Sequence, residues 1–163
     1  MFNAANIARV GRACLAGFIL VTLSVSLAQA DYGPRITIGN NYQQSSSTLS
    51  PNGLNQGNCN SFNCYVLFQR APQEQSLIIQ HVSCAMIVEG TVALVAVGNR
   101  EGQTLLSTIS YVVPVHQAGD VWLVNSPVMH LVRSGERAVI AVQASPGGSW
   151  SIICTISGRL QEP

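Results

Sequence analysis

The stretch Leu77 to Gly98, LIIQHVSCAMIVEGTVALVAVG, decides the fold class. It contains two long apolar runs separated by Glu89-Gly90-Thr91, and the second half of the first run alternates with a period of two. One side of this alternation carries Val82, Cys84, Met86 and Val88, and the other carries His81, Ser83, Ala85 and Ile87. β-Branched residues at period two, with a glycine-containing break, predict two antiparallel strands joined by a tight turn. We expect this hairpin to be the centre of an all-β domain.

Segments of the same kind continue from Tyr65 to the C-terminus. Eight apolar segments follow one another at spacings of roughly 8 to 12 residues, separated by turn residues, and none has a helical apolar period. The last segment alternates most clearly, with Trp150, Ile152 and Cys154 on the side opposite to its hydroxyl residues. The pattern predicts an antiparallel two-sheet β-sandwich of about eight strands over residues 64–163, with the jelly roll as one of its forms.

Residues 1–30 have the features of a secretory signal peptide. Arg9 and Arg12 precede an apolar run from Leu15 to Leu27, which is followed by the small-residue sequence Ala28-Gln29-Ala30. The run is interrupted by polar residues and is shorter than the roughly 20 apolar residues that a membrane anchor needs. We therefore expect cleavage after Ala30, no membrane insertion of the mature chain, and a secreted or periplasmic location.

Residues 31–63 differ in composition from the rest of the mature chain. Arg35-Ile36-Thr37-Ile38 predicts a short edge strand or tether. From Asn40 to Asn63 the chain is rich in Asn, Gln and Ser, has no hydrophobic period, and contains three Pro or Gly residues. This composition predicts a polar, irregular surface segment ahead of the sandwich.

Four cysteines follow the predicted cleavage site, and an even number in an exported chain indicates two disulfides. Three pairings are possible. We favour Cys59 with Cys64, which are close in sequence, and Cys84 with Cys154, which both lie on inward strand faces. A zinc site is the alternative, but the sequence lacks the C-x-x-C pairs of a zinc ribbon.

The charge of the chain is low and balanced. Lysine is absent, so all eight basic residues are arginines, and without Arg9 and Arg12 six of them remain against seven Asp and Glu. Such a chain has no electrostatic footprint for nucleic acid or for an anionic membrane surface. We expect no nucleic-acid partner, and a surface of uncharged polar residues that opposes self-association only weakly.

Motifs of catalysis and cofactor binding are absent from the sequence. There is no G-x-S-x-G nucleophile elbow and no glycine-rich phosphate or dinucleotide motif. Glu89, Glu101, Asp120 and Glu136 all fall in or beside predicted turns, where a carboxylate is ordinarily solvated. We therefore expect no enzyme and no cofactor.

Histidine is the residue type that leaves a site open. His81, His116 and His130 lie on different predicted strands, and Met86 or Met129 would add a sulfur ligand if those strands converge. Imidazole and thioether ligands suit zinc or copper. The alternative, which the apolar surroundings favour, is that each imidazole is hydrogen-bonded within its strand.

Exposed aromatic rings would indicate a carbohydrate ligand, because a sugar face stacks on a ring. Trp150 is expected in the core. Tyr42 and Phe62 belong to the predicted irregular segment, and Trp122 lies in a stretch that is apolar on both faces. Tyr42, Phe62 and Trp122 are therefore the candidate ligand-binding residues.

The sequence favours an exported, non-enzymatic β-sandwich protein that acts in binding or assembly at the cell envelope or outside the cell. Several strands carry apolar residues on both faces, for example around Ile153 and from Val121 to Val124. This predicts a homo-oligomer or an envelope protein partner. Two alternatives stay open: a carbohydrate-binding module with a glycan ligand, and a small metal-binding protein or enzyme that uses converging histidines.

Overall fold

The structure of this protein, a computed structural model, describes residues 31–50, 58–101, 104–145 and 149–162. These ranges contain ten β-strands. No helix occurs in these ranges, which confirms the prediction of an all-β chain. The predicted signal peptide, residues 1–30, lies outside the described residues. The strands are β1 (Asp31–Ile38), β2 (Asn41–Ser50), β3 (Asn63–Arg70), β4 (Ser76–Val88), β5 (Val92–Glu101), β6 (Thr104–Val112), β7 (Val115–Ala118), β8 (Val121–Val132), β9 (Arg137–Ala144) and β10 (Trp150–Gln161).

The strands form two antiparallel sheets. The six-stranded sheet has the order β1-β2-β10-β4-β8-β7, and the four-stranded sheet has the order β3-β9-β5-β6. Their inward side chains meet in one core cluster, which includes Met86, Trp150 and Ile152 from the larger sheet and Phe68 and Ile140 from the smaller one. Two sheets that bury their apolar faces against each other have the architecture of a β-sandwich.

The predicted hairpin of Leu77 to Gly98 is wrong, because its two strands belong to different sheets. β4 pairs with β10 and β8, whereas β5 pairs with β9 and β6. The connection at Glu89–Thr91 crosses between the sheets, with Gly90 at a φ of 116°. Ser145 holds this crossing, since its hydroxyl accepts a hydrogen bond from the Thr91 N–H (2.9 Å) and its own N–H donates to the Thr91 carbonyl (2.9 Å). A period of two shows which side chains face inward but not which strand is the neighbour.

The predicted irregular segment is also wrong over residues 41–50, which form β2. This strand turns back from β1 at Gly39, whose φ is 56°, and pairs with β10 from Asn41 opposite Arg159 to Ser50 opposite Trp150. Its polar sequence is compatible with a strand because β10 satisfies its backbone hydrogen bonds. Residues 51–57 of the same predicted segment lie outside the described part of the chain.

Proline marks two irregularities along the strands. The run from Thr104 to His116 is divided at Val113 and Pro114, where the chain passes from β6 in the smaller sheet to β7 in the larger one. Ser126-Pro127, in contrast, lies inside β8. There the pairing register between β4 and β8 shifts, so the strand absorbs the proline as an irregularity.

Both disulfides join the cysteines that the sequence pairs. Cys59 is bonded to Cys64, and Cys84 is bonded to Cys154. Cys84 and Cys154 lie directly opposite each other on β4 and β10, and both are buried in the core cluster. Two disulfides suggest an oxidising, extracytoplasmic environment.

Removing the two disulfides separately should have unequal effects on stability. In the loop-entropy account, the bridge that spans 70 residues stabilises by about 4 kcal/mol and the bridge that spans 5 by about 2 kcal/mol. We expect Cys84→Ala with Cys154→Ala to lower the free energy of unfolding about twice as much as Cys59→Ala with Cys64→Ala, as measured by urea denaturation. A larger loss from the Cys59–Cys64 pair would contradict this ranking.

Candidate functional site

The outer face of the six-stranded sheet carries a cluster of large apolar side chains that have no cover among the described residues. The pleat directs alternate residues of each strand outward, and the pairing registers place these residues beside one another. Leu49, Ile87, Val115 and Ile153 are each more than half exposed. We define the apolar patch as Leu49, Ala85, Ile87, Val115, Val121, Leu123 and Ile153.

The patch is contiguous because its members are cross-strand neighbours. Ile153 lies opposite Ala85, Ala85 lies opposite Leu123, and Leu123 lies opposite Val115. In the adjacent row Ile87 lies opposite Val121. The polar residues in these two rows on β2, β10, β4 and β8 are Ser47, beside Ile153, and Ser151, between Leu49 and Ile87. The patch therefore contains no charged side chain.

The same face becomes polar further along the strands. Ser45 and Thr155 are hydrogen-bonded through their hydroxyls (2.8 Å), and His81 Nε2 lies 2.7 Å from Asn125 Oδ1. Gln43 follows on β2. The outer face therefore has an apolar end and a more polar end, separated along the strand direction.

The three histidines do not converge, so their placement gives no support to the alternative of a metal or catalytic cluster. No group of three or more His, Cys, Asp or Glu side chains within the described ranges is placed to hold a metal ion. His81 lies on the outer face of β4, whereas His130 on β8 is buried beneath the same sheet. His116 lies on the edge strand β7, where its Nε2 is 2.7 Å from the Gly119 carbonyl. The strands are close, but their pleats direct the rings to different sides.

The predicted sulfur ligands are also separated from one another. Met86 is buried in the core cluster, whereas Met129 is one of the most exposed apolar side chains of the described part. Met86 and His81 point to opposite faces of β4, and Met129 and His130 point to opposite faces of β8, so neither sulfur shares a site with the nearby histidine.

His130 forms the centre of a buried polar network between the two sheets. Its Nδ1 lies 3.0 Å from the Ser110 hydroxyl on β6, and its Nε2 lies 2.8 Å from Asn99 Oδ1 on β5. The Asn99 amide nitrogen donates to the Leu131 carbonyl (2.8 Å) and to Glu136 Oε2 (2.7 Å). The network thus ties three strands and the turn before β9 together.

These contacts determine the tautomer of the imidazole. Because the Asn99 amide nitrogen already donates to two oxygens, Asn99 Oδ1 is the acceptor that faces the ring. His130 Nε2–H therefore donates to Asn99, and Nδ1 accepts from the Ser110 hydroxyl. Burial lowers the pKa of His130 below its ordinary value, and the nearby Glu136 carboxylate partly opposes this shift.

Hydrogen bonds from hydroxyl to imidazole to amide oxygen also occur in nucleophilic hydrolases. Here His130 is only 2 % exposed and uses both ring nitrogens to join the sheets, so we assign the network a structural role. Sequence reasoning missed Ser110 and Asn99, and it treated Glu136 as a solvated turn residue. The sequence spacing of Ser110, Asn99 and Glu136 does not indicate that they lie together, because only the strand topology brings them to His130.

The candidate aromatic residues do not form a row on one face. Tyr42 lies in β2 rather than in a loop and is buried, and its hydroxyl donates to Gln44 Oε1 (2.6 Å). Burial raises the pKa of Tyr42, and Arg35 partly opposes this shift. Phe62 is exposed ahead of β3. Trp122 is partly buried against the core, with its ring centroid 4.7 Å from that of His116. None of the three offers the flat aromatic platform that the sequence suggested.

Comparison with known proteins adds no functional assignment. No protein-family model, no curated protein and no solved structure matches the chain. A search of the described residues for a helix that could span a membrane finds none.

Acidification should weaken the fold through His130. Because the pKa of His130 is lowered in the folded state, the unfolded chain binds the proton more readily. The free energy of unfolding should fall as the pH drops below about 6.5 and should level off below the folded-state pKa. Urea denaturation between about pH 7.5 and about pH 5 measures this dependence.

His130→Gln should remove much of the pH dependence in this range, because the titrating group is lost. His81→Gln is the matched control, since His81 lies on the outer face with a polar neighbour. A wild-type profile that is flat over this range, or one that His81→Gln alters as much as His130→Gln, would contradict the assignment.

Proposed function

We propose that this protein is an exported, non-enzymatic β-sandwich that acts by assembly, and that two copies dock through the outer face of the six-stranded sheet. The observation that carries this proposal is the apolar patch. A strand of an antiparallel sandwich normally has one solvated face, and contiguous exposed apolar surface on a monomer is usually functional. Here that surface lies across five neighbouring strands.

The size of the patch suits the centre of an interface. Five strands at about 4.8 Å and two rows at about 7 Å give roughly 24 Å by 14 Å in projection. A standard interface buries about 800 Å² per partner and has an apolar core with a polar rim. The serine and threonine positions around the patch would supply that rim.

A second copy of the chain is the partner that the surface chemistry favours. Closed dimers use the same patch on both subunits, so the patch must be complementary to itself. An uncharged apolar surface meets this condition without like-charge repulsion. A charged partner, in contrast, would find no opposite charge in the described part of the patch.

The proposed location is secreted or periplasmic, with residues 1–30 as the signal peptide. Support comes from the two disulfides, which are typical of oxidising compartments, and from the apolar run that precedes Ala28-Gln29-Ala30.

We also propose that the sandwich is a jelly roll. The support is the nested order of strand pairing, in which β2 pairs with β10, β3 with β9, β4 with β8, and β5 with β6. Such nesting is what results when one long antiparallel hairpin is rolled into two sheets, and the jelly roll has eight strands of this kind. β1 and β7 then extend the larger sheet at its two edges.

The oxidised protein should sediment as a dimer at micromolar concentration in analytical ultracentrifugation, and Ile153→Asp should shift it to monomer. Ile153 lies in the patch, where a second copy would bury the new carboxylate without a partner. Ile109→Asp is the matched control, because Ile109 is similarly exposed on β6 of the other sheet. It should leave the dimer intact.

A wild-type protein that sediments as a monomer throughout the micromolar range would overturn the proposal. Dissociation by Ile109→Asp to the same extent as by Ile153→Asp would also overturn it. Urea denaturation of both variants separates lost assembly from lost folding.

A further inference from the structure

A groove of about 340 Å³ crosses the outer face of the six-stranded sheet at its polar end. It runs across β1, β2, β10 and β4, perpendicular to the strands. Its volume lies within the range of small-molecule sites in proteins. Its lining residues are Ile36, Ile38, Asn41, Tyr42, Gln43, Gln80, Ser157 and Gly158.

The groove coincides with an irregularity in the sheet. His81 lies opposite Ser157 and Ile79 lies opposite Gly158, so Gln80 is an extra residue in β4 relative to β10. This bulge turns the exposed Gln80 side chain to the same outer face as His81, although the two are adjacent in sequence. Bulges commonly redirect a side chain at a functional position.

The close approach of β10 and β4 beside the groove requires glycine at position 158. A Cβ at this position would collide with the Ile78 carbonyl oxygen. A glycine inside a strand often marks a close backbone approach of this kind beside a bulge.

The polar groups that line the groove are uncharged. Within the described ranges no side chain forms a hydrogen bond with the side chains of Asn41, Gln43, Gln80 or Ser157. Three amides and one hydroxyl can each donate and accept. Ile36 and Ile38, both at least half exposed, add an apolar wall from β1.

We propose that this groove binds a neutral oligosaccharide. Sugar hydroxyls both donate and accept hydrogen bonds, as do the amides that face them, and the apolar C–H faces of sugar rings match the isoleucine wall. A groove that crosses four strands at about 4.8 Å spacing is elongated, which suits a short chain of sugars rather than a single one. Uncharged lining groups give no reason for an ionic ligand.

Arg159 is the charged residue of β10 nearest to the groove. It lies two residues beyond Ser157 on the outward face, opposite Asn41 on β2 and Ile78 on β4. It does not line the groove. A ligand held chiefly by Arg159 would be an acidic sugar, so neutral and anionic probes distinguish the two cases. The site is independent of the dimer proposal, because the apolar patch lies at the other end of the face.

Isothermal titration calorimetry of the oxidised protein with cellohexaose, maltohexaose and chitohexaose tests the proposal. At least one of these neutral probes should bind with a Kd below about 1 mM. Gln43→Ala and Gln80→Ala should each weaken that binding by about tenfold, the effect of losing one to two hydrogen bonds. Gln143→Ala, an exposed glutamine on β9 of the other sheet, is the matched control and should leave it unchanged.

Three results would overturn the proposal: no neutral probe binds at concentrations up to about 10 mM, only hexagalacturonic acid binds, or both groove variants bind as the wild type does. Ile153→Asp should retain oligosaccharide binding even if it dissociates the dimer. Calorimetry therefore tests the groove, and ultracentrifugation tests the dimer, independently of each other.

Discussion

Strand β10 is the element on which the rest of the structure depends, because it pairs with β2 on one side and with β4 on the other. The Cys84–Cys154 disulfide joins β4 and β10 in the middle of this ladder. A slip of one residue would move Ile153 into the core and turn the inward Ile152 to the surface. The register that builds the core therefore also determines which residues form the apolar patch and the groove.

Much of this alternation can be predicted from the sequence. The inward positions of β4 and β10 are apolar or cysteine, so the facing of Met86 and Trp150 and the pairing of the cysteines follow from the pattern. The neighbour of each strand does not follow. Gly90 would suit a hairpin turn as well as a crossing between sheets, and the residue that holds the crossing, Ser145, lies 54 positions away from Thr91.

β2 and His130 show a second limit of sequence patterns. Tyr42, Gln44 and Ser46 point inward although they are polar. Tyr42 donates to Gln44 Oε1, and Ser46 donates to the Leu67 carbonyl (2.5 Å), whereas Gln44 Nε2 has no hydrogen-bond partner among the described residues. An unpaired buried polar group costs about 1–3 kcal/mol, so a buried polar side chain depends on its hydrogen-bond partners. His130 is the same case, with partners on β5 and β6. The partners of Gln44 Oε1, Ser46 and His130 on other strands are remote in sequence, so apolar periodicity does not identify these positions.

The interior is thus occupied by the core cluster and by hydrogen-bonded polar side chains, which leaves the outward faces for recognition. On the six-stranded sheet the patch and the groove lie at opposite ends, and Ile153 and Ser157 are about 13 Å apart along β10. In a face-to-face dimer the twofold axis lies in the plane between the sheets. If that axis is perpendicular to the strands and passes through the patch, each groove extends beyond the partner's sheet. Assembly through one end and ligand binding at the other are then compatible on the same face.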